Sequence, residues 1–173
     1  MSKIVDIMVD IESDGPVAPL FSMVSLGAVV VEHSLDQTFY AKFKPISENW
    51  DPKALSISGH SREECMGFPD AKQSTQEFCQ WVLDVSRGAR PRFWSDNNGF
   101  DWGFVNYYFH AFVGSNPFGW SSVNLNSVYK GMEKTMNASF KHLVETPHSH
   151  HPVDDATGCA EALLKMKAMG FYL

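Results

Sequence analysis

The segment Lys3-Ile4-Val5-Asp6-Ile7-Met8-Val9-Asp10-Ile11-Glu12 constrains this chain more than any other. It reads as a β-strand, and successive side chains of a strand point to opposite faces. Val5, Ile7, Val9 and Ile11 therefore form one apolar face, and Asp10 and Glu12 stand side by side on the other. Neighbouring carboxylates repel, and burying them without a partner is costly. A hard divalent cation such as Mg²⁺ or Mn²⁺, which takes oxygen ligands, is the natural neutraliser.

A chain of 173 residues, 44% hydrophobic and 20% charged, is ordinary globular material and long enough for one domain, residues 1–173, with a real core. The net charge of −6 argues against a passive nucleic-acid coat protein, which needs a basic surface. It leaves room for an enzyme that holds a polyanion through metal ions, where local charge decides. Cys65, Cys79 and Cys159 show no CxxC spacing, so neither a disulfide framework nor a zinc ribbon is expected. Met1-Ser2-Lys3 leads straight into the acidic strand, which is not a signal-peptide pattern, and no apolar run is long enough to span a bilayer. A cytoplasmic protein with no membrane partner is the expectation.

A turn, Ser13-Asp14-Gly15-Pro16, follows the first strand. Strands are predicted near 23–32 and 37–44, joined by a short polar link as in a hairpin. Residues 45–69 read as irregular. Thr75 reads as the N-cap of a helix with the stripe Phe78, Cys79, Val82 and Leu83, closed by Gly88. Residues 90–95 read as a strand, with Arg90 and Arg92 at its solvated start rather than in a phosphate patch. Residues 100–113 read as a helix with the stripe Phe104, Val105, Tyr108, Phe109 and Phe112. Residues 121–129 fit either a strand or a loop–helix junction, a helix is predicted near 130–137, and the last helix spans about 152–169 with Pro152 in its first turn. The pattern is α/β: an antiparallel meander first, then strands alternating with helices.

Two further acids border these stripes. Asp101 opens its helix on the face shared with Phe104 and Val105, and Asp155 lies in the first turn of the last helix beside Ala156 and Cys159. An acid at a helix start is stabilised by the macrodipole alone, by about 0.3–1 kcal/mol, so neither is diagnostic by itself. Together with Asp10 and Glu12 they make a set. His150, five residues before Asp155, can take a proton from water near neutral pH. The His-rich loop also permits a zinc or nickel site of His148, His150 and His151, which then needs a remote fourth ligand.

Asp-x-Glu on a first strand, Asn97-Asn98-Gly99-Phe100-Asp101 opening a middle helix, and His-x-x-x-x-Asp-Ala opening a last helix resemble, in order, the three motifs of the DEDDh (DnaQ-like) 3′–5′ exonuclease superfamily. Ala54-Leu55-Ser56-Ile57-Ser58-Gly59 is similar to the family's loop before its first long helix. The compact RNase AS-like and exonuclease VIII-like exoribonucleases are the most similar members. The resemblance implies an RNase H-like fold: a mixed central sheet, antiparallel in its first three strands and parallel after them, flanked by helices. It implies that Asp10, Glu12, Asp101 and Asp155 hold two divalent cations, Mg²⁺ or Mn²⁺. Asp10 would bridge them, Glu12 and Asp155 would complete the tighter one, and Asp101 would act on the second, partly through water. His150 would be the general base. Ile11, Ser13, Gly59, His60 and Asn97 would meet the substrate, the 3′ end of single-stranded RNA or DNA, with RNA favoured, releasing nucleoside 5′-monophosphates. Members are often homodimers.

The chain departs from the family pattern at Ser13, where Thr is common, at Asp14, an extra acid in the turn, at Ser58, where many members carry His, and at Asp96, where His often precedes the Asn. Phe21, His60, Trp102 and Phe104 are the aromatic candidates for base stacking, although Phe104 reads as core. Shifting the last motif by one residue would put His151 or Asp154 in place of His150 or Asp155. A non-catalytic binding module and an endonuclease on the same architecture are the competing readings.

Overall fold

A computed structural model describes residues 3–171. Its centre is a five-stranded sheet of β1 (Ile4–Ser13), β2 (Met23–Val30), β3 (Thr38–Lys42), β4 (Arg90–Ser95) and β5 (Ser122–Asn124), in the order β3-β2-β1-β4-β5. The pairs β1–β2 and β2–β3 are antiparallel, and β1–β4 and β4–β5 are parallel. This is the mixed sheet expected, a meander followed by parallel strands.

Helices cover both faces. Ile7, Val9 and Ile11 of β1 and Phe93 of β4 pack with α3 (Ala71–Ser86) and α4 (Asn98–Phe112), chiefly through Phe78, Val82, Tyr108 and Phe109. On the other face Met8 and Trp94 meet α6 (Pro152–Ala168) through Ala160, Leu163 and Met166. All eight residues of β2 are buried, as a strand sandwiched between two layers requires. Among the described residues no helix is long and apolar enough to cross a membrane.

Several elements differ from the sequence reading. The stretch 45–69 is not irregular throughout but holds two short helices, α1 (Pro52–Ile57) and α2 (Arg62–Met66). Asp51 caps the first, with Pro52 opening it, and Ser61 and Glu64 form a reciprocal capping box on the second. Helix α3 begins at Ala71, not after Thr75: Asp70 accepts from the amides of Lys72 and Gln73, and Thr75 lies a turn inside, donating its hydroxyl to Ala71 O at 2.6 Å. The buried face runs through Ala71, Ser74, Thr75, Phe78, Val82 and Ser86, so Leu83 is 51% exposed, outside the core. Residues 122–124 form the edge strand β5, and its last residue, Asn124, caps α5 (Leu125–Met132), which begins before the predicted 130–137. Phe140–Leu143 form a 3₁₀ turn that the sequence reading missed. Arg92 is not solvated; its Nε sits 2.6 Å from Asp6 Oδ1.

Two devices bring distant segments to the end of β1. Gly27 on β2 pairs with Asp10, and a Cβ there would lie 2.3 Å from the Pro152 carbonyl carbon and the Val153 nitrogen. Only glycine lets the start of α6 lie directly on the sheet, one strand away from Asp10. At the turn after β1, Asp14 is fully buried, accepting from Ser22 N at 2.5 Å and Arg62 Nη1 at 2.6 Å, and its carbonyl accepts from Asp51 N at 2.7 Å. The extra acid of the turn thus staples α1 and α2 to β1 and does not line the site.

Gly27→Ala is expected to push α6 off the sheet and cost about 1–3 kcal/mol or more in urea unfolding. Arg62→Ala leaves Asp14 buried without its cation, and a loss of about 3–5 kcal/mol is expected in the same measurement.

Candidate active site

The parallel strands β1 and β4 stay paired only as far as Met8 and Trp94. Beyond that point β1 continues to Ser13, while β4 turns through Asp96 and Asn97 into α4. A crevice opens where the strand ends part, the usual place for a ligand in a sheet of this kind. Asn98 donates to Ser122 Oγ at 2.7 Å and Asn124 donates to Asp96 O at 2.9 Å, which fixes the turn into α4. Asp101, one turn along α4, is thereby aimed at β1 and is only 2% exposed. The start of α6 closes the third side and supplies Asp155, 7% exposed.

The resulting cavity, about 430 Å³, is lined by Asp10, Glu12, Asp101 and Asp155 together with Asp96, His148 and His150. A carboxylate oxygen from each of Asp10, Glu12 and Asp155 lies within 4.8 Å of the others. Asp101 stands outside that trio but shares the cavity, and its charge is felt at Asp10.

Cation pairing separates these acids from their neighbours. Asp6, on the same face of β1, has Arg92 at 2.6 Å, the Trp94 indole N–H at 2.8 Å and Lys167 at 3.4 Å. Asp14 has Arg62, and Asp96 has Lys141 at 3.2 Å. Among the described residues, Asp10, Glu12, Asp101 and Asp155 have no lysine or arginine at ion-pair distance; only His148 reaches Asp155, at 2.8 Å, and His150 reaches Glu12, at 3.7 Å. Asp101 Oδ2 and Asp155 Oδ2 are buried without an aligned hydrogen-bond donor. Burial, with Asp155 adding its charge, pushes Glu12 up to about 7. Burial and then Asp96 push Asp101 up to about 8, and Asp10 is raised well above the carboxylate range by burial and by Asp101, Asp155 and Glu12. Orphaned oxygens and proton-retaining carboxylates, in an all-oxygen donor set, fit hard divalent cations.

The structure brings together every predicted metal-site residue, with His150 beside them. Ser13, Ile11 and Asn97 also line the cavity. Gly59 and His60 do not: His60 packs edge-on against Phe68, with ring centroids 5.0 Å apart, and the wall on that side is made by Ala54 and Ile57 one turn earlier. Phe100 lines the cavity, whereas Trp102 packs on Phe93 and Phe104 is core. Asp155 and His150 line the cavity, whereas Asp154, at 50% side-chain exposure, and His151, stacked on Tyr40, do not. His148, Asp96 and Phe100 escaped the sequence reading as parts of this cavity. The His-x-His spacing was the only signal for the first, and nothing in sequence orders Phe100 above the other aromatics.

The fold and this four-acid cavity define an RNase H-like exonuclease of the DEDDh type. A family model described as the 3′-5′ exoribonuclease Rv2179c-like domain matches residues 5–166, and the chain belongs to that family of phosphodiester-hydrolysing 3′–5′ exonucleases. It is 33% identical to the Escherichia coli 3′-5′ DNA exonuclease Cap18, over 92% of this chain and 89% of that protein. The crystal structure of the nuclease domain of 3′hExo, a DEDDh family member bound to rAMP, superposes with a TM-score of 0.74 at 14% identity, covering 96% of this chain and 92% of that one. Cell-death related nuclease 4 gives a TM-score of 0.75 at 15% identity, and 96% of this chain spans 64% of its length.

Glu12 and Asp101 ionise more readily in the unfolded chain, near 4.5 and 3.8, than in the folded one. Their contribution to metal-free stability is therefore complete below those values and is lost as pH rises through about 7 and about 8. The melting temperature of EDTA-treated protein is expected to fall across that window, less steeply in Asp101→Asn, and Mn²⁺ is expected to raise it most at the alkaline end.

Proposed function

We propose that the chain removes nucleotides from the 3′ end of single-stranded RNA, with two divalent cations held by Asp10, Glu12, Asp101 and Asp155 and with His150 as general base. The observation that carries this reading is the meeting of four carboxylates, free of lysine and arginine partners, in one cavity. Such ions, when bound, supply a lowered pKa for the attacking water and charge stabilisation for the leaving 3′-oxygen.

The chain's own residues do the rest. His150, on the rim of the cavity with its Nδ1 3.7 Å from Glu12 Oε1, accepts the proton of the water, and Glu12 stabilises the imidazolium that forms. Asn97, Ser13 and the backbone at Ile11 face the terminal sugar. Ala54, Ile57 and Phe100 offer an apolar wall to the terminal base. The cavity, about 430 Å³, has room for a terminal nucleotide but not for a duplex, which supports a single-stranded 3′ end as substrate.

The family description, which spans 5–166, supports RNA. The likeness to Cap18, described as a DNA exonuclease, supports DNA as the second reading. Matched 3′-labelled and 5′-labelled oligonucleotides of both sugars, incubated with Mg²⁺ and then Mn²⁺, decide between them. Stepwise laddering from the 3′ end is expected, faster on RNA. Cleavage of circular single strands would instead mark an endonuclease. Asp10→Asn is expected to abolish nucleotide release while keeping the fold. His150→Ala is expected to keep ion binding and to lower turnover by about 10²–10⁴-fold. Full activity in either variant overturns the assignment.

A further inference from the structure

We propose that His148, His150 and Asp155 form a second metal site, suited to Zn²⁺ and similar transition-metal ions, whose occupation switches the exonuclease off. The inference rests on the roles of His150 and Asp155 proposed above. It adds a residue, His148, that those roles do not use.

One ligand atom from each of the three side chains lies within 4.8 Å of the others. His148 Nδ1 is 2.8 Å from Asp155 Oδ2, and the His148 and His150 rings meet edge-on with centroids 4.3 Å apart. A tetrahedral zinc ion with bonds of about 2.0–2.1 Å places its ligand atoms about 3.3–3.5 Å apart. The 2.8 Å between His148 Nδ1 and Asp155 Oδ2 and the 4.8 Å limit on the whole cluster bracket that spacing. Water, or Glu12 Oε1 beside His150, fills the fourth position.

The loop presents these groups in advance of any ion. Ser149 N donates to Asp155 Oδ1 at 3.0 Å, so Oδ2 is the oxygen left buried and without an aligned donor on the side of His148. Ser149 Oγ donates to Asp154 Oδ2 at 2.9 Å and accepts from His151 N at 3.2 Å, which ties the loop to the first turn of α6. His150 is held in the left-handed region at φ 59. The two imidazoles are 61% and 48% exposed, so an ion reaches them from solvent without opening the protein.

Asp155 therefore belongs to two donor sets of different hardness. With Asp10 and Glu12 it offers only oxygen, which suits Mg²⁺ and Mn²⁺. With His148 and His150 it offers two nitrogens and one oxygen, which suit Zn²⁺, Ni²⁺ or Cu²⁺. A zinc ion there occupies the His150 lone pair, which then accepts no proton, and holds the Asp155 oxygen away from the other set.

The test uses the full chain in excess Mg²⁺. Zn²⁺ affinity is measured by calorimetry, Co²⁺ ligation by visible absorption, and Mn²⁺ affinity by electron paramagnetic resonance in separate samples. His148→Ala, with His148→Gln as a second variant should the first fail to fold, is expected to weaken Zn²⁺ binding by at least about tenfold and leave Mn²⁺ binding in place. Asp10→Asn is expected to do the reverse. Zinc inhibition, taken as the ratio of rates with and without Zn²⁺, is expected to need correspondingly more Zn²⁺ in the His148 variants. Equal Zn²⁺ affinity in wild type and both His148 variants overturns the proposal, as does loss of Zn²⁺ binding in Asp10→Asn. Unchanged Mn²⁺ affinity in Asp10→Asn overturns the exonuclease metal site instead, so the two failures are distinct.

Discussion

Negative charge that the protein does not neutralise from within organises this molecule. The chain has enough lysine and arginine to pair its other buried acids and does so: Asp6 with Arg92 and Lys167, Asp14 with Arg62. At Asp10, Glu12, Asp101 and Asp155 it withholds them. In a partly desolvated cavity, uncompensated carboxylates either keep protons or take cations, and the raised values of Glu12 and Asp101 are the proton-bound side of that choice. The site is a store of repulsion that a bound cation would relieve.

The scaffold keeps that repulsion from prising the cavity apart. Each acid sits on an element anchored elsewhere by apolar packing: β1 in both layers, α4 through Phe104, Tyr108 and Phe109, and α6 through Leu163 and Met166. Tyr108 adds a polar anchor by accepting from Met23 N at 2.9 Å. Gly27 sets how near α6 comes to β1, and the Asp14 carbonyl, accepting from Asp51 N, sets where α1 stands as the apolar wall. The spacing between the charges thus depends on neutral or compensated groups outside the cavity.

Much of this was legible in sequence. Period-two alternation placed Asp10 and Glu12 on one face of β1, and helical stripes placed Asp101 and Asp155 beside buried positions. Misreadings arose where two local signals competed. Thr75 and Asp70 are both good caps, and the buried Ala71 decided for Asp70. The capping box of Ser61 and Glu64 marks a helix too short to show a stripe, so composition alone made the region look irregular. Asp14, two residues after Glu12, read only as an extra acid in the turn, because its partner Arg62 lies forty-eight residues away.

By itself, the amino-acid order determined the longer strands and helices, the sheet face that carries Asp10 and Glu12, and the chemical identity of the four acids, because periodicity is a local property of a chain. Only the tertiary structure decided which acids go without cations, that Ala54, Ile57 and Phe100 rather than Gly59 and His60 wall the cavity, and that His148 stands over Asp155. Those facts are distances between segments far apart in the chain. They are set by how closely one layer packs on another, down to the missing side chain at Gly27, and local sequence carries no measure of that separation.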